Sequence, residues 1–166
     1  MLKYLQSYDT KLQTQIQQLI DNETLGKYLL SKYTKVHSHA SDKALYGYVM
    51  VLKNNFMKGA SPVAKVMYDT KIRDVNAALG THTYVSRVQG GKLKAKHEIR
   101  IAHIFKQMPE SFLKMIVVHE LAHLKIKDHN KAFYKLCTHM EPEYHQLEFD
   151  LRVYLTYKEC FGKLWS

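Results

Sequence analysis

His119, Glu120 and His123 stand in the order H-E-x-x-H within "VVHELAHLKIKDHN" (117–130), and His129 follows six residues later. Two neutral imidazoles one helical turn apart can both ligate Zn²⁺, leaving room for a third ligand and a water. Zinc lowers the pKa of bound water to about 7, and a neighbouring glutamate then takes the proton and hands it to the leaving amine. The chain holds ten His and eight Glu, so the pattern arises by chance in roughly 3 chains in 100. Its setting therefore matters as much as its letters.

That setting is apolar. At about 100° per residue, a helix over 111–126 places Phe112, Ile116, His119, His123 and Ile126 on one side, with Leu113, Val117 and Leu124 beside them. Lys114 and Lys125 mark the narrow strip left for water. The two histidines thus face the core, where unsatisfied polar groups are costly. Glu120, about 100° further round, is the candidate catalytic base.

The third ligand needs a turn. His129 keeps the six-residue offset of the metzincin pattern H-E-x-x-H-x-x-G-x-x-H, but Ile126 stands where that pattern has glycine. The expected turn is at Lys127–Asp128, since Asp tolerates left-handed backbone better than most residues. Rival third ligands are His139, His145, Glu141, Glu143 and Glu148.

The elements that must hold this centre follow from periodicity. Leu12, Ile16, Leu19 and Ile20 form one helical stripe, capped by Asp9 or Thr10. Leu25, Leu29, Leu30 and Tyr33 form a second. A third, Ala44 to Phe56, opens at Ser41–Asp42 and closes near Gly59 before Ser61–Pro62. "VAKVMYD" reads as a strand, "KIRDVNAAL" is ambiguous, and "THTYVSRV", the turn "QGG" and the alternating "KLKAKHEIRIAHIF" follow. Helices near 130–140 and from 143 complete an α+β chain with a small antiparallel sheet.

Composition bounds the class. The 166 residues, 46% hydrophobic and 24% charged, suit one globular domain with its own core. A single domain, 1–166, is expected, with a helical part over 1–60 and the catalytic core over 61–166. The start lacks an apolar signal region, and no apolar run reaches the roughly 20 residues that span a bilayer. Cys137 and Cys160 make no disulfide framework. A cytoplasmic protein without membrane attachment is expected. The net charge of +10 comes from 21 Lys and only four Arg. It suits a solvated surface, and also leaves nucleic acid or acidic partners open.

"MIVVHELAHLKIKDHNKAF", with "HMEPEYH" downstream, resembles the YgjP-like metal-dependent hydrolases and, more distantly, the SprT-like proteases. The resemblance extends through "DKALYGYV", "KVMYDTKI" and "VSRVQGGKLKAK". Its most specific elements are the metal motif, His129 with Phe133, and Pro142 with Tyr144. It implies a zincin-like fold, a zinc site of His119, His123 and His129, and Glu120 as base. Broader relatives carry a Trp-Gly-Ser-Cys-like segment where this chain reads "ALGTHTYVSRVQGG", without Trp or Cys.

The leading expectation is a zinc metallopeptidase binding one Zn²⁺, or another divalent transition metal, per chain. Tyr144 and His145 are candidate transition-state stabilisers. Strand 92–104 would bind an extended peptide if it lies at the sheet edge. A second reading is a nucleic-acid-associated protease with Arg87, Lys92, Lys94, Lys96 and Arg100 on phosphates. A third is a non-catalytic metal site, in which Glu120 would have no task.

Overall fold

The computed structural model describes residues 2–75, 81–89 and 92–165, with side chains described outside 81–96. Among these residues the chain forms six α-helices and three strands, an α+β architecture. The N-terminal helices are α1 (Thr10–Asp21), α2 (Leu25–Lys32) and α3 (Asp42–Phe56). Asp9 caps α1 by accepting from the Leu12 amide at 2.8 Å, and Ser41 caps α3 through the Ala44 amide at 3.0 Å. Each cap satisfies an amide that the first helical turn leaves without a partner. Asp42 then accepts from the Tyr68 amide at 2.9 Å, fastening the start of α3 to the strand it packs on.

The sheet differs from the expected antiparallel one. Its order is β1-β3-β2, with β1 (Val63–Asp69) parallel to β3 (Lys92–Ala102) and β2 (Thr81–Gln89) antiparallel to β3. Side-chain alternation has period two in either direction, so it reveals a strand but not its sense. The chain inserts β3 between the earlier strands, which makes it central. Over 97–100 it is paired on both sides, and its pairing with β1 alone continues to Ala102, with Val63 opposite His97 and Asp69 opposite Ala102. Strand addition to that stretch is excluded, because its backbone groups already have partners. "KIRDVNAAL" lies partly outside the described residues, as do the two glycines of "QGG". The alternation read through Phe105 ends at Ala102, where a 3₁₀ turn (His103–Gln107) buries Phe105 and exposes His103.

Behind the sheet lies α4 (Glu110–Ala122), with ten of its 13 residues buried. It stops four residues short of the expected 111–126. Helices α5 (Lys131–Met140) and α6 (Tyr144–Phe161) pack against it. Asn130 caps α5 by accepting from the Phe133 amide at 2.9 Å.

A buried polar knot ties α6 to α2. Asp150, wholly enclosed, accepts from the Tyr33 hydroxyl at 2.5 Å, the Lys32 ammonium at 2.7 Å and the Gln146 amide at 3.1 Å. Asp150→Ala should lower the unfolding free energy by about 1–3 kcal/mol or more, since it strands the Tyr33 hydroxyl inside. Urea denaturation checks this, and an unchanged midpoint would show that the knot holds nothing.

Candidate metal centre

The end of α4 shapes the site. The helix gives way at His123 to a tight turn in which the Lys125 and Ile126 amides both bond the Ala122 carbonyl, at 3.1 and 3.0 Å. No described residue of this turn has positive φ, so it needs neither glycine nor a left-handed Asp128. The turn thus begins at His123, earlier than the expected Lys127–Asp128. Ending the helix early also frees the Ile126 carbonyl to meet the His123 ring.

Three imidazoles converge here. The ligand atoms of His119, His123 and His129 all lie within 4.8 Å of one another. His123 Nε2 is 3.3 Å from His119 Nε2 and 3.0 Å from His129 Nε2. The Ile126 carbonyl only accepts, so His123 Nδ1, 3.0 Å away, carries the proton and its Nε2 presents a lone pair. His119 Nδ1 lies 2.8 Å from the Tyr144 hydroxyl, which leaves its Nε2 toward the cluster.

The donor set fits a divalent ion. Nitrogen legs of about 2.0–2.1 Å in a tetrahedron are separated by roughly 3.3 Å, close to both Nε2 distances. Bonds from the far ring nitrogens to a carbonyl and a hydroxyl are the usual way that such ligands are oriented. The Phe133 ring closes the back, with its centroid 5.0, 4.6 and 5.0 Å from His119, His123 and His129.

Electrostatics agree with neutral ligands. Burial, with His123 and His129 alongside, pushes the His119 pKa down to about 3. Burial also lowers His123, opposed by its bond to Ile126. Glu120 is 1% exposed, and burial raises its pKa well above the ordinary carboxylate range. Its Oε2 has no hydrogen-bond partner among the described residues. A carboxylate enclosed without a partner is costly, which marks it as a group held for something absent from the polypeptide.

The other expected residues are placed elsewhere. Tyr144 is wholly buried, with its hydroxyl on the Nδ1 side of His119 and away from the converging nitrogens, so it backs a ligand rather than facing a reacting group. His145 is exposed and packs edgewise on Tyr144 and obliquely on Tyr134. Arg100 bonds Asp69 at 3.2 Å and Glu98 at 3.3 Å, which answers its charge within the sheet. The side chains of Arg87, Lys92, Lys94 and Lys96 lie outside the described residues. Of the rival ligands, Glu141 pairs with Lys114, Glu148 with Arg152, and His139 meets the Phe56 ring. Sequence reading missed the Ile126 carbonyl, which no residue type encodes, and the contact of Phe133 with all three imidazoles. The i, i+4 spacing of Tyr144 and Glu148 was a usable signal for what lies behind His119.

Over 155 residues, 93% of each chain, the protein is 60% identical to the UTP pyrophosphatase of Escherichia coli (strain K12). Residues 85–154 match the model of a family described as YgjP-like, metallopeptidase domain. The chain belongs to the YgjP-like family. Both descriptions are of hydrolases, and membership makes this chain a metal-dependent hydrolase. No solved structure matches. No described helix is long and apolar enough to cross a membrane.

A raised carboxyl pKa means that the folded state binds the Glu120 proton more tightly than the unfolded state, so stability falls as pH rises above about 4.5. Glu120→Gln should therefore stabilise the metal-free protein at neutral pH, by more than about 1 kcal/mol, with the gain vanishing below pH 4.5. Melting curves at several pH values check this. A variant less stable than the parent at pH 7 contradicts it.

Proposed function

We propose that this chain hydrolyses UTP to UMP and pyrophosphate at a Zn²⁺ centre held by His119, His123 and His129, with Glu120 as general base. The observation that carries the substrate assignment is the 60% identity, over 93% of both chains, with a protein named for that activity. A net charge of +10 suits a polyanionic substrate, which a basic surface draws in by long-range attraction.

The chemistry asks little of the polypeptide beyond positioning and one proton. A divalent cation in the site would neutralise phosphoryl oxygens and acidify water. Glu120, with an unpartnered oxygen in a dry wall, accepts the proton from the water attacking the α-phosphorus. The bond between that phosphorus and the bridging oxygen breaks, and pyrophosphate leaves with the electron pair. Burial raises the affinity of Glu120 for its proton, which strengthens it as the acceptor. Phe133 and the aliphatic face of α4 shield the His119 and Glu120 side of the centre from bulk water, and the exposed His129 leaves the opposite side open.

Peptide hydrolysis is the second reading, favoured by the metallopeptidase description of the family model and by the zincin-like expectation from H-E-x-x-H. Against it, Tyr144 has no free hydroxyl face to offer a tetrahedral intermediate, because His119 engages it inside the core. A non-catalytic metal site would leave the cost of burying Glu120 unexplained.

Two measurements test the proposal. Purified protein with one Zn²⁺ should convert UTP to equal amounts of UMP and pyrophosphate, with Glu120→Gln keeping its metal and losing about 10²–10⁴-fold in rate. Cleavage of unfolded protein without release of pyrophosphate would favour the peptidase. In elemental analysis, His119→Ala and His129→Ala should each lose the metal. Metal retained in both would overturn the ligand assignment.

A further inference from the structure

Tyr144, Glu148 and Arg152 recur every four residues on α6, and so stand one turn apart on a single face. The first bonds His119 Nδ1 at 2.8 Å. The second lies against the Tyr144 hydroxyl by charge and hydrogen bonding, and its carboxylate is bonded on the other side by the Arg152 guanidinium. Arg152 continues to the Tyr8 hydroxyl, in the segment that precedes α1. The Glu148 and Arg152 side chains retain only 15% and 13% of their exposure. A pair this enclosed gives up much hydration, and is poor evidence of a purely stabilising role.

We infer that Tyr144, Glu148 and Arg152 form an outer relay that fixes the tautomer and orientation of the His119 ring. His119 Nδ1–H donates to the Tyr144 oxygen, and the Tyr144 hydroxyl donates to the Glu148 carboxylate. Arg152 holds that carboxylate in place and supplies its counter-charge. No proton is transferred. The negative end of the chain makes the opposite ring nitrogen, Nε2, a better electron donor and keeps its lone pair toward His123 and His129. A hydroxyl alone could act as donor or acceptor, and it is Glu148 that gives Tyr144 its direction. These are positioning residues, acting on the ligand from behind. The inference rests on the metal-holding role proposed above and is independent of which substrate the centre hydrolyses.

The test uses the full-length metal-free protein, with Tyr144→Phe and Glu148→Gln as variants. Long-range ¹⁵N–¹H spectra report the His119 tautomer, and competition with a chromogenic chelator reports Zn²⁺ affinity. The expected result is an Nδ1–H tautomer in the parent that becomes mixed in both variants, with Zn²⁺ binding weakened about 10–100-fold in Tyr144→Phe and less in Glu148→Gln. Should Tyr144→Phe not fold, Glu148→Gln, which exchanges a carboxylate for an amide of the same shape, keeps the test decisive. An unchanged tautomer, with affinity within about twofold of the parent in the folded variants, overturns the relay alone. A parent that takes up no Zn²⁺ overturns the functional reading as well.

Discussion

The dominant constraint is the enclosure of α4 on nearly all sides. A helix in that position has no water with which to satisfy a polar side chain, so each one it carries must find a protein partner, an ion or a reactant. His119 finds Tyr144, and His123 finds the Ile126 carbonyl. Both then turn their other nitrogens to a common point, which His129 reaches from the following loop. Glu120 Oε2 finds no hydrogen-bond partner among the described residues. Burial is confined to the His119 and Glu120 side of the site, where it strengthens electrostatic interactions, whereas His123 is half-buried and His129 is exposed.

Around that helix the fold divides its labour. The sheet and α3 form one wall, fastened by the Asp42–Tyr68 bond. Helices α5 and α6 form the other, with Phe133 and Tyr144 reaching inward. The Asp150 knot and the Trp165 indole, which donates to the Tyr33 carbonyl at 2.8 Å, lock α6 and the segment after it to the end of α2. None of these contacts touches the metal centre, yet they set the rigidity that lets three short side chains hold fixed mutual distances.

Much of this was legible in the residues. Caps at Asp9 and Ser41, the stripes of the first three helices apart from the exposed Leu30 and Phe56, and the apolar setting of H-E-x-x-H are local signals that survive folding. Strand direction was not legible, because Val66, Tyr68, Ile99 and Ile101 alternate identically in parallel and antiparallel sheets. Nor was the end of α4: the apolar stripe continues through Ile126, but the backbone leaves the helix at His123 to serve a ring. Tyr144 was visible as a residue of interest, but its contact with His119 Nδ1 was not. Its position in the chain placed it near the site, whereas only the packing of α6 shows which side of His119 it occupies.

The ring contacts of Phe133 have a further consequence. All three histidines and the phenylalanine behind them fall between residues 119 and 133, so the loop that brings them together is short and its closure costs little chain entropy. The β1–β3 pairing and the α2–α6 knot join residues much farther apart. During folding or synthesis, the ligand cluster can therefore assemble before the rest of the molecule has found its partners, and an ion captured at that stage would act as a nucleus on which the sheet and α6 later settle. A metal held by these histidines would then be an early organiser of the chain.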